Sequence, residues 1–430
     1  MHSTMDRTGG GDVASSHRWR SLAIFTAVYV CQQYDRAIMA VVQEPVKHAF
    51  DLSDTQIGVL GGLAHGGMYA LVGLPMGMLL DRFNRRNLLA AMLIIWSATT
   101  ALGAFATGFV TLLLCRMMVG AAESGGYPAL FSLTADIFPR RQHGTAMGIL
   151  GMGSSGGIVL TLLVGGILVE AHGWQAGFLT AGVPGVLLAL LLLWCVREPP
   201  RGDKASGKPR QAALGELFRF ILSQRSMTLC MIGATAASAV LAGFWAWAIS
   251  FMARLHDLSI AEVGFGLAIG AGLAGMTGSL LGGVLADRVG ARDPRRKLYL
   301  IAFASLTCVP VGLAALMTES SLLAFILLPV FLVLGAAYTS VTVALVANLT
   351  TSRLRGSTLA VMSILNNAVG AGSGPLLVGM LSDGIGGEES LRYALMALVC
   401  VFAAAVTCFL AAAWTLRADL DRAAAIDDAG

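Results

Sequence analysis

Residues 77–86 read GMLLDRFNRR, and residues 283–290 read GVLADRVG. Each stretch closes a long apolar run with an Asp-Arg pair, and further cations follow it. The same sequence separation relates DLSDTQIG at 51–58 to DLSIAEVG at 257–264, where Ser and Gln or Glu have the spacing of a helix-capping box. Because one separation relates both ends of an apolar helix, we predict two parallel halves, an arrangement typical of transporters.

The composition places these halves in a membrane. Hydrophobic residues make up 56% of the 430 residues and charged residues only 13%, whereas a typical soluble domain has about 25% charged residues. A soluble fold cannot keep so much apolar surface away from water with so few charges. Soluble enzymes, nucleic-acid binders and disordered proteins are therefore excluded, and no nucleic-acid partner is expected.

Apolar runs bounded by charges or turn residues occur about twelve times, and each is long enough to span a bilayer as a helix of about 20 residues. The predicted fold class is an all-α membrane protein with about twelve transmembrane helices in two pseudo-symmetric six-helix bundles. The predicted boundaries are an N-terminal tail at 1–19, a bundle at 20–197, a linker rich in Pro, Gly and charge at 198–225, a second bundle at 226–416 and a C-terminal tail at 417–430.

The positions of the 29 Lys and Arg residues predict the orientation. All but five fall in segments that share one side of the membrane with both termini. The exceptions are Lys47, Arg254 and Arg392 on the other side, and Arg36 and Arg116 inside spans. Because cations accumulate in cytoplasmic loops, we expect both tails and the linker in the cytoplasm and the chain, as a monomer, in the plasma (inner) membrane.

The repeated Asp-Arg pairs predict a gate on the cytoplasmic side. An aspartate there can accept hydrogen bonds from a helix N-terminus and pair with arginine across the face, and so hold that side closed. The residues concerned are Asp81, Arg82, Arg85, Asp287 and Arg288. Ordinary membrane anchoring by cations is the alternative interpretation. The pattern resembles the signature loop of the major facilitator superfamily, and the resemblance covers essentially the whole chain.

Within that superfamily the chain resembles the Spinster-like branch. The motifs that carry this resemblance are Tyr-Asp-Arg at 34–36, DRFNR at 81–85, RMMVGAAE at 116–123 and REPPRG at 197–202. The resemblance implies a proton-linked or facilitative carrier. Eukaryotic members of the branch are associated with sphingoid phosphates and lysophospholipids.

Two acids lie well inside spans, Asp35 in the first and Glu123 in the fourth. A charge at that depth costs at least about 2.5 kcal/mol, which makes each of them a candidate for proton coupling. Each acid has a cation nearby on its own helix, since Arg36 follows Asp35 and Arg116 precedes Glu123 by seven residues. We expect the two helices to share one buried network, in which the arginines are either charge partners or ligands of an anionic substrate; a static network that fixes helix packing is the alternative.

The second half has no charged residue near mid-membrane, and its interior polarity comes from aromatic, hydroxyl and amide side chains. A charged half that faces an aromatic half suits an amphipathic anion, although these aromatics could equally be core or interfacial residues. His65 departs from the apolar residue usual in Spinster-like sequences, and it could titrate or be a satisfied interior histidine. The candidate cavity residues are Tyr34, His65, Tyr127, Trp245, Trp247, Tyr338 and Asn366.

The sequence offers no metal, cofactor or enzyme site. The seven cysteines are scattered in apolar runs, and GMGSSG at 151–156 matches a nucleotide-binding pattern only inside an apolar span without a preceding strand. The predicted function is secondary active transport by alternating access, coupled to protons, of an amphipathic organic anion such as a lysolipid or sphingoid phosphate. Carriage of a small organic acid or sugar and multidrug/proton antiport are the alternatives.

Overall fold

The computed structural model describes residues 9–199, 214–351 and 354–429, and within them the chain is helical with turns and no strand. Ten helices are long and apolar enough to cross a membrane. With two further helices, Gly9–Phe50 and Ile260–Gly290, they form two six-helix halves, so the predicted fold class is confirmed. The N-terminal half consists of α1 (Gly9–Phe50), α2 (Asp54–Arg82), α3 (Arg85–Gly103), α4 (Phe109–Ile137), α5 (His143–His172) and α6 (Trp174–Cys195).

A short helix, α7 (Leu214–Ser223), precedes the second half. Leu217 and Ile221 on this helix are buried, whereas Phe218 and Leu222 are exposed, so the end of the predicted linker is an amphipathic helix. Residues 200–213 of the predicted linker lie outside the described residues. The C-terminal half consists of α8 (Arg225–His256), α9 (Ile260–Gly290), α10 (Arg295–Met317), α11 (Ser321–Leu349), α12 (Arg355–Ile385) and α13 (Ser390–Arg422).

The helices extend beyond the predicted spans. Helix α1 begins at Gly9, inside the predicted N-terminal tail, and the last helical segment continues to Ala429, past the predicted end of the bundle. Apolar length marks only the membrane-crossing part of a helix. The segment 417–429 is rich in Ala, Arg and Asp and has no glycine or proline that would end the helix earlier.

The internal repeat holds at the level of backbone geometry. Ser53 accepts a hydrogen bond from the Gln56 N–H while the Gln56 side chain accepts one from the Ser53 N–H, and Ser259 and Glu262 form the same reciprocal cap. The residue two positions before each cap has a positive φ, 50° at Asp51 and 52° at Asp257. Both halves therefore turn into their second helix in the same way.

The two halves meet at the face opposite the chain termini, which we call the opposite face; the face that carries the outer ends of α1 and α13 is the terminal face. There α2 packs on α12 so closely that a Cβ on Gly379 would lie 2.2 Å from the backbone oxygen of Asp54. On the other flank α5 meets α9, where the Ala261 N–H donates to the Glu170 carboxylate at 2.9 Å. These contacts close the opposite face.

Three of the helices that meet across the halves change pitch at the crossings. The π-helical segments are Val59–Leu63 in α2, Thr161–Gly165 in α5 and Leu365–Ala371 in α12. Such wide turns are rare and often lie at functional sites. Here the segments of α2 and α12 border the small cavity described below.

The close approach at Gly379 predicts a specific effect on stability. Gly379→Ala forces a methyl group against a backbone carbonyl that cannot rotate away, and we expect a cost of about 1–3 kcal/mol, seen as a lower thermal unfolding midpoint in detergent. The matched control is Gly384→Ala on the same helix, where a Cβ meets nothing within 4 Å. Equal midpoints for the two variants would contradict this packing.

Candidate functional site

The centre of the N-terminal half contains a carboxylate that no solvent reaches. Glu123 on α4 is fully buried, and its Oε2 atom lies 2.6 Å from Nε of Arg36 on α1 and 3.1 Å from Nε2 of His65 on α2. Two donors from two helices thus share one oxygen. The other oxygen of Glu123 has no hydrogen-bond partner.

A second ion pair lies beside the first. Arg116 on α4 and Asp35 on α1 approach to 3.6 Å between Nη1 and Oδ1, and both side chains are buried. Thr100 on α3 donates to Asp35 Oδ2 at 2.6 Å, and Arg116 Nε donates to the backbone oxygen of Leu60 at 3.4 Å. The four charges of the predicted network are brought together, but each acid pairs with the arginine of the other helix rather than with the one near it in sequence.

A small cavity of about 210 Å³ borders this network and continues toward a larger one. Its wall includes Arg36, Gln43, His65, Tyr69, Trp245 and Asn367. The larger cavity, of about 870 Å³, lies toward the terminal face and is lined by residues that include Tyr127, Asp81, Leu74 and Ile364. Tyr69 and Asn367 border both cavities, so together they mark the passage between them.

Three of the candidate cavity residues line a cavity. His65 and Trp245 border the small cavity, and Tyr127, which is 44% exposed, borders the large one. The rings of Tyr29 and Phe131 pack against the Tyr127 ring and fix its orientation. A group bound in the small cavity would therefore touch α1 and α2 on one side and α8 on the other.

The structure places the other four candidates in contacts between helices. The Tyr34 hydroxyl lies 3.2 Å from that of Thr180, and Tyr338 is buried in the second half. Trp247 donates to the backbone oxygen of Pro375 at 3.0 Å, which links α8 to α12. Asn366 accepts from Thr235 at 3.2 Å across the same pair of helices.

Sequence reasoning missed Tyr69. Its ring lies 4.8 Å from the Arg36 guanidinium carbon, a distance typical of a cation–π contact, and it stacks on His65. The signal was present, because Tyr69 follows His65 by one helical turn and so shares its face. Gln43 was also missed; it follows Arg36 by two turns on α1 and donates to Ala246 on α8 at 2.8 Å.

An ion network joins the halves at the opposite face, and sequence reasoning missed it too. Arg254 on α8 reaches Glu44 on α1 at 2.7 Å and Asp54 on α2 at 2.9 Å. Lys47 pairs with the same Asp54. The sequence assigns only three cations to this side of the membrane, and two of them, Lys47 and Arg254, belong to the network. A cation on the side where cations are rare was therefore a signal that could have found it.

Helix α12 completes this network. Asp383 accepts from the backbone N–H groups of Asp54 at 3.0 Å and Thr55 at 2.8 Å, so that a C-terminal-half carboxylate caps the start of α2. Ser382 donates to Asp54 Oδ2 at 2.6 Å. We call the set Glu44, Lys47, Asp54, Arg254, Ser382 and Asp383 the opposite-face latch.

The predicted gate residues form a different pattern at the terminal face. Arg85 pairs with Asp136 at 2.5 Å and Glu198 at 3.1 Å in its own half, and Asp287 pairs with Lys297 at 2.8 Å in the other. Asp81 lines the large cavity, while Arg82 and Arg288 are exposed. Arg85 and Asp287 thus pair within their own halves, whereas the latch joins the halves. The large cavity separates the halves toward the terminal face.

Twelve helices in two repeated halves, with a polar cavity between them that is open at one face, define a membrane transporter rather than an enzyme. The Major Facilitator Superfamily model matches residues 25–295 and 248–428, and the chain belongs to this superfamily. Within it the chain is Spinster-like. It is 28% identical to a bacterial homologue of the human lysosomal transporter Spinster, whose inward-facing, unoccupied crystal structure superposes with a TM-score of 0.85 over 94% of this chain and 98% of that chain.

Two relatives of similar sequence have different functional names. An MFS-type efflux pump of Mycolicibacterium smegmatis is 29% identical over 384 residues, which cover 89% of each chain. A probable galactarate/D-glucarate transporter of Bacillus subtilis is 26% identical over 324 residues, which cover 68% of this chain and 71% of the relative. The family is thus shared by chains named for efflux and for sugar-acid transport.

The latch predicts the effect of removing its central cation. Arg254→Gln leaves Glu44 and Asp54 without their shared partner, a loss of about 2–5 kcal/mol for a buried charge pair, and we expect the halves to separate at the opposite face. Spin labels at His48→Cys and Glu388→Cys, in a chain freed of its seven cysteines, should show at least about a fivefold larger long-distance population in double electron–electron resonance.

The control for this experiment is Arg392→Gln. Arg392 lies on the same face, but its ion pair is with Glu389, three residues away on the same side of the molecule. Its distance distribution should match that of the labelled parent. An unchanged distribution for Arg254→Gln would mean that helix packing alone, and not the latch, holds the face closed.

Proposed function

We propose that this chain is a proton-coupled secondary transporter that moves an amphipathic organic anion by alternating access. The observation that carries the proposal is the fully buried Glu123, paired with Arg36 and His65 at the edge of a cavity that leads to one face. Burial favours the neutral form of a carboxyl group, whereas an adjacent guanidinium favours the ionised form. Moving Arg36 away from Glu123 therefore favours proton binding by the pair of Glu123 and His65, and its return favours release.

Asp35 offers a second exchange site of the same kind. It is held by Arg116 and Thr100, and one of its oxygens has no hydrogen-bond partner. Because α1 and α4 carry one acid and one arginine each, a small shift between these two helices changes both pairs together. Such a shift would link the protonation state to the conformation of the half.

The cycle follows from the two faces. In the present state the opposite-face latch joins the halves and the cavity opens at the terminal face. In the alternate state the latch would open, and Asp81, Arg82, Arg85, Asp287 and Arg288 would form the contacts that close the terminal face. With both termini in the cytoplasm, as the cation distribution predicts, the present state is inward-facing and the chain is a monomer in the plasma membrane.

The lining of the cavities favours an amphipathic substrate. The small cavity is lined by Arg36, whose side chain is 30% accessible, and by the buried Arg116. The accessible Arg36 would hold an anionic head group. Leu74, Met78 and Ile364 line the larger cavity, where an alkyl chain would lie. The motifs shared with the Spinster-like branch, whose eukaryotic members are associated with these compounds, support a lysolipid or sphingoid phosphate as the compound class.

A small organic acid is the second candidate. The relative named as a probable galactarate/D-glucarate transporter favours it, and a carboxylate would suit Arg36 as well as a phosphate does. The relative named as an efflux pump keeps multidrug/proton antiport as a third. All three candidates share the same requirement for a buried proton-exchange site.

The proton-coupling proposal predicts loss of accumulation without loss of the fold. Asp35→Asn and Glu123→Gln remove one exchangeable charge each, and we expect pH-gradient-driven flux in proteoliposomes to fall at least about tenfold while solute exchange without a gradient persists. Glu388→Gln, an exposed acid, is the control and should transport like the parent chain. Full gradient-driven flux in both buried-acid variants would refute proton coupling at these sites.

The substrate proposal predicts which compounds stabilise the protein. In a thermal-shift screen at pH 6 we expect lysophosphatidylglycerol and sphingosine phosphate to raise the unfolding midpoint more than D-glucarate or D-galactonate, and Arg36→Gln to abolish the shift. The screen should include Arg219→Gln as a control, because this arginine lies on the amphipathic helix α7, outside both cavities. Stabilisation by the sugar acids alone would select the second candidate.

A further inference from the structure

We propose that His65 takes up the proton that accompanies the anion, by replacing Arg36 as the counter-ion of Glu123 and so releasing Arg36 to bind the substrate. This inference rests on the proposed function and assigns its proton to a residue. The initial observation is geometric: Arg36 Nε and His65 Nε2 both contact Oε2 of Glu123, at 2.6 and 3.1 Å. A carboxylate only accepts, so Nε2 carries a hydrogen in both charge states of the ring.

The charge balance of the interior makes a proton necessary. Asp35 and Glu123 oppose Arg36 and Arg116, so the four charges of the network sum to zero. An anion that enters beside Arg36 adds one uncompensated negative charge in a region of low dielectric constant, where it is costly. One proton on His65 restores neutrality and supplies Glu123 with a second cation.

Exposure distinguishes the two arginines. The Arg36 side chain is 30% accessible and borders the small cavity, whereas Arg116 is 4% accessible and held by Asp35 and the Leu60 carbonyl. Arg36 is therefore the guanidinium that can move. The Tyr69 ring, 4.8 Å from its Cζ, would support it when it turns from Glu123 toward the cavity.

Exposure also selects His65 over the acids as the first proton acceptor. Glu123 and Asp35 are both completely buried, while the His65 side chain is 13% accessible and lines the small cavity. A proton that arrives through the cavities meets His65 before either carboxylate. Tyr69, one turn along α2, borders both cavities and stacks on the imidazole, so its hydroxyl lies on this route.

The groups around His65 are consistent with this exchange. Arg36 faces it from α1, Arg116 and Glu123 from α4, and Tyr69 from its own helix. From α8 and α12 the cavity wall presents Trp245 and Asn367, which do not titrate. Among the described residues, Glu123 is the carboxylate in contact with the ring, and Arg36 competes with the ring for it.

The first measurement needs no substrate. In ¹⁵N-histidine-labelled protein, assigned by comparison with His65→Gln, Arg36→Gln mimics the state in which Arg36 has left Glu123. We expect the imidazolium fraction of His65 at pH 7 to rise at least about threefold in Arg36→Gln and to return to the parent value in Arg36→Gln combined with Glu123→Gln. Arg36→Lys, which keeps the charge, should match the parent and shows whether the site tolerates substitution. A His65 that stays neutral in Arg36→Gln would overturn the proposal.

The second measurement counts protons on binding. Purified protein in a weakly buffered indicator solution receives D-glucarate in one arm and lysophosphatidylglycerol in nanodiscs in the other, which separates a soluble from a lipid source of the anion. We expect about one proton taken up per bound anion by the parent and none by His65→Gln, with binding weakened but present. Proton uptake by His65→Gln equal to that of the parent would assign the proton to a carboxylate, which refutes this inference while leaving the proposed function intact. If neither probe binds, the substrate-free measurement decides.

Discussion

The contact between Glu123 and Arg36 is the interaction on which the rest of the site depends. A charge buried at this depth is unfavourable unless a partner of opposite sign is within reach, so each carboxylate requires its guanidinium and each guanidinium its carboxylate. The requirement ties α1 to α4 through side chains that exchange partners between helices. It also fixes where a proton or an anion can enter, because either one changes a sum of charges that is otherwise zero.

The two faces of the molecule are held by different means. At the opposite face, Arg254 and Asp383 bring charges of the C-terminal half onto α1 and α2 of the N-terminal half. At the terminal face, Arg85 and Asp287 satisfy their charges within their own halves, and a cavity of about 870 Å³ separates the helices. An alternating-access cycle requires this asymmetry to reverse, and the repeated Asp-Arg pairs are placed where the reversal would need them.

Much of the fold followed from the sequence because the membrane imposes strong rules. Apolar length predicted the spans, and the separation between Ser53 and Ser259 predicted a repeat that extends to the left-handed residues before both caps. The buried charges could also be found, since Asp35 and Glu123 are rare at such depth. The pairing of each acid with the arginine of the other helix could not, because it depends on how α1 and α4 rotate about their axes. Trp247 also shows what sequence alone cannot predict. Its aromatic side chain would suit a cavity wall, but its indole N–H donates to a backbone carbonyl.

All four charges of the central network belong to the N-terminal half, whereas the C-terminal half contributes Trp245 and Asn367 to the wall of the small cavity. On the proposed function, this divides the labour between the repeats. The first half supplies the driving force and most of the lining of the large cavity, and the second half supplies the wall that faces it. Substitutions in α8 and α12 can then alter what is carried without changing how the carriage is powered. A transporter built in this way can acquire new cargo through substitutions in one repeat, which accords with relatives named for efflux and for sugar-acid transport.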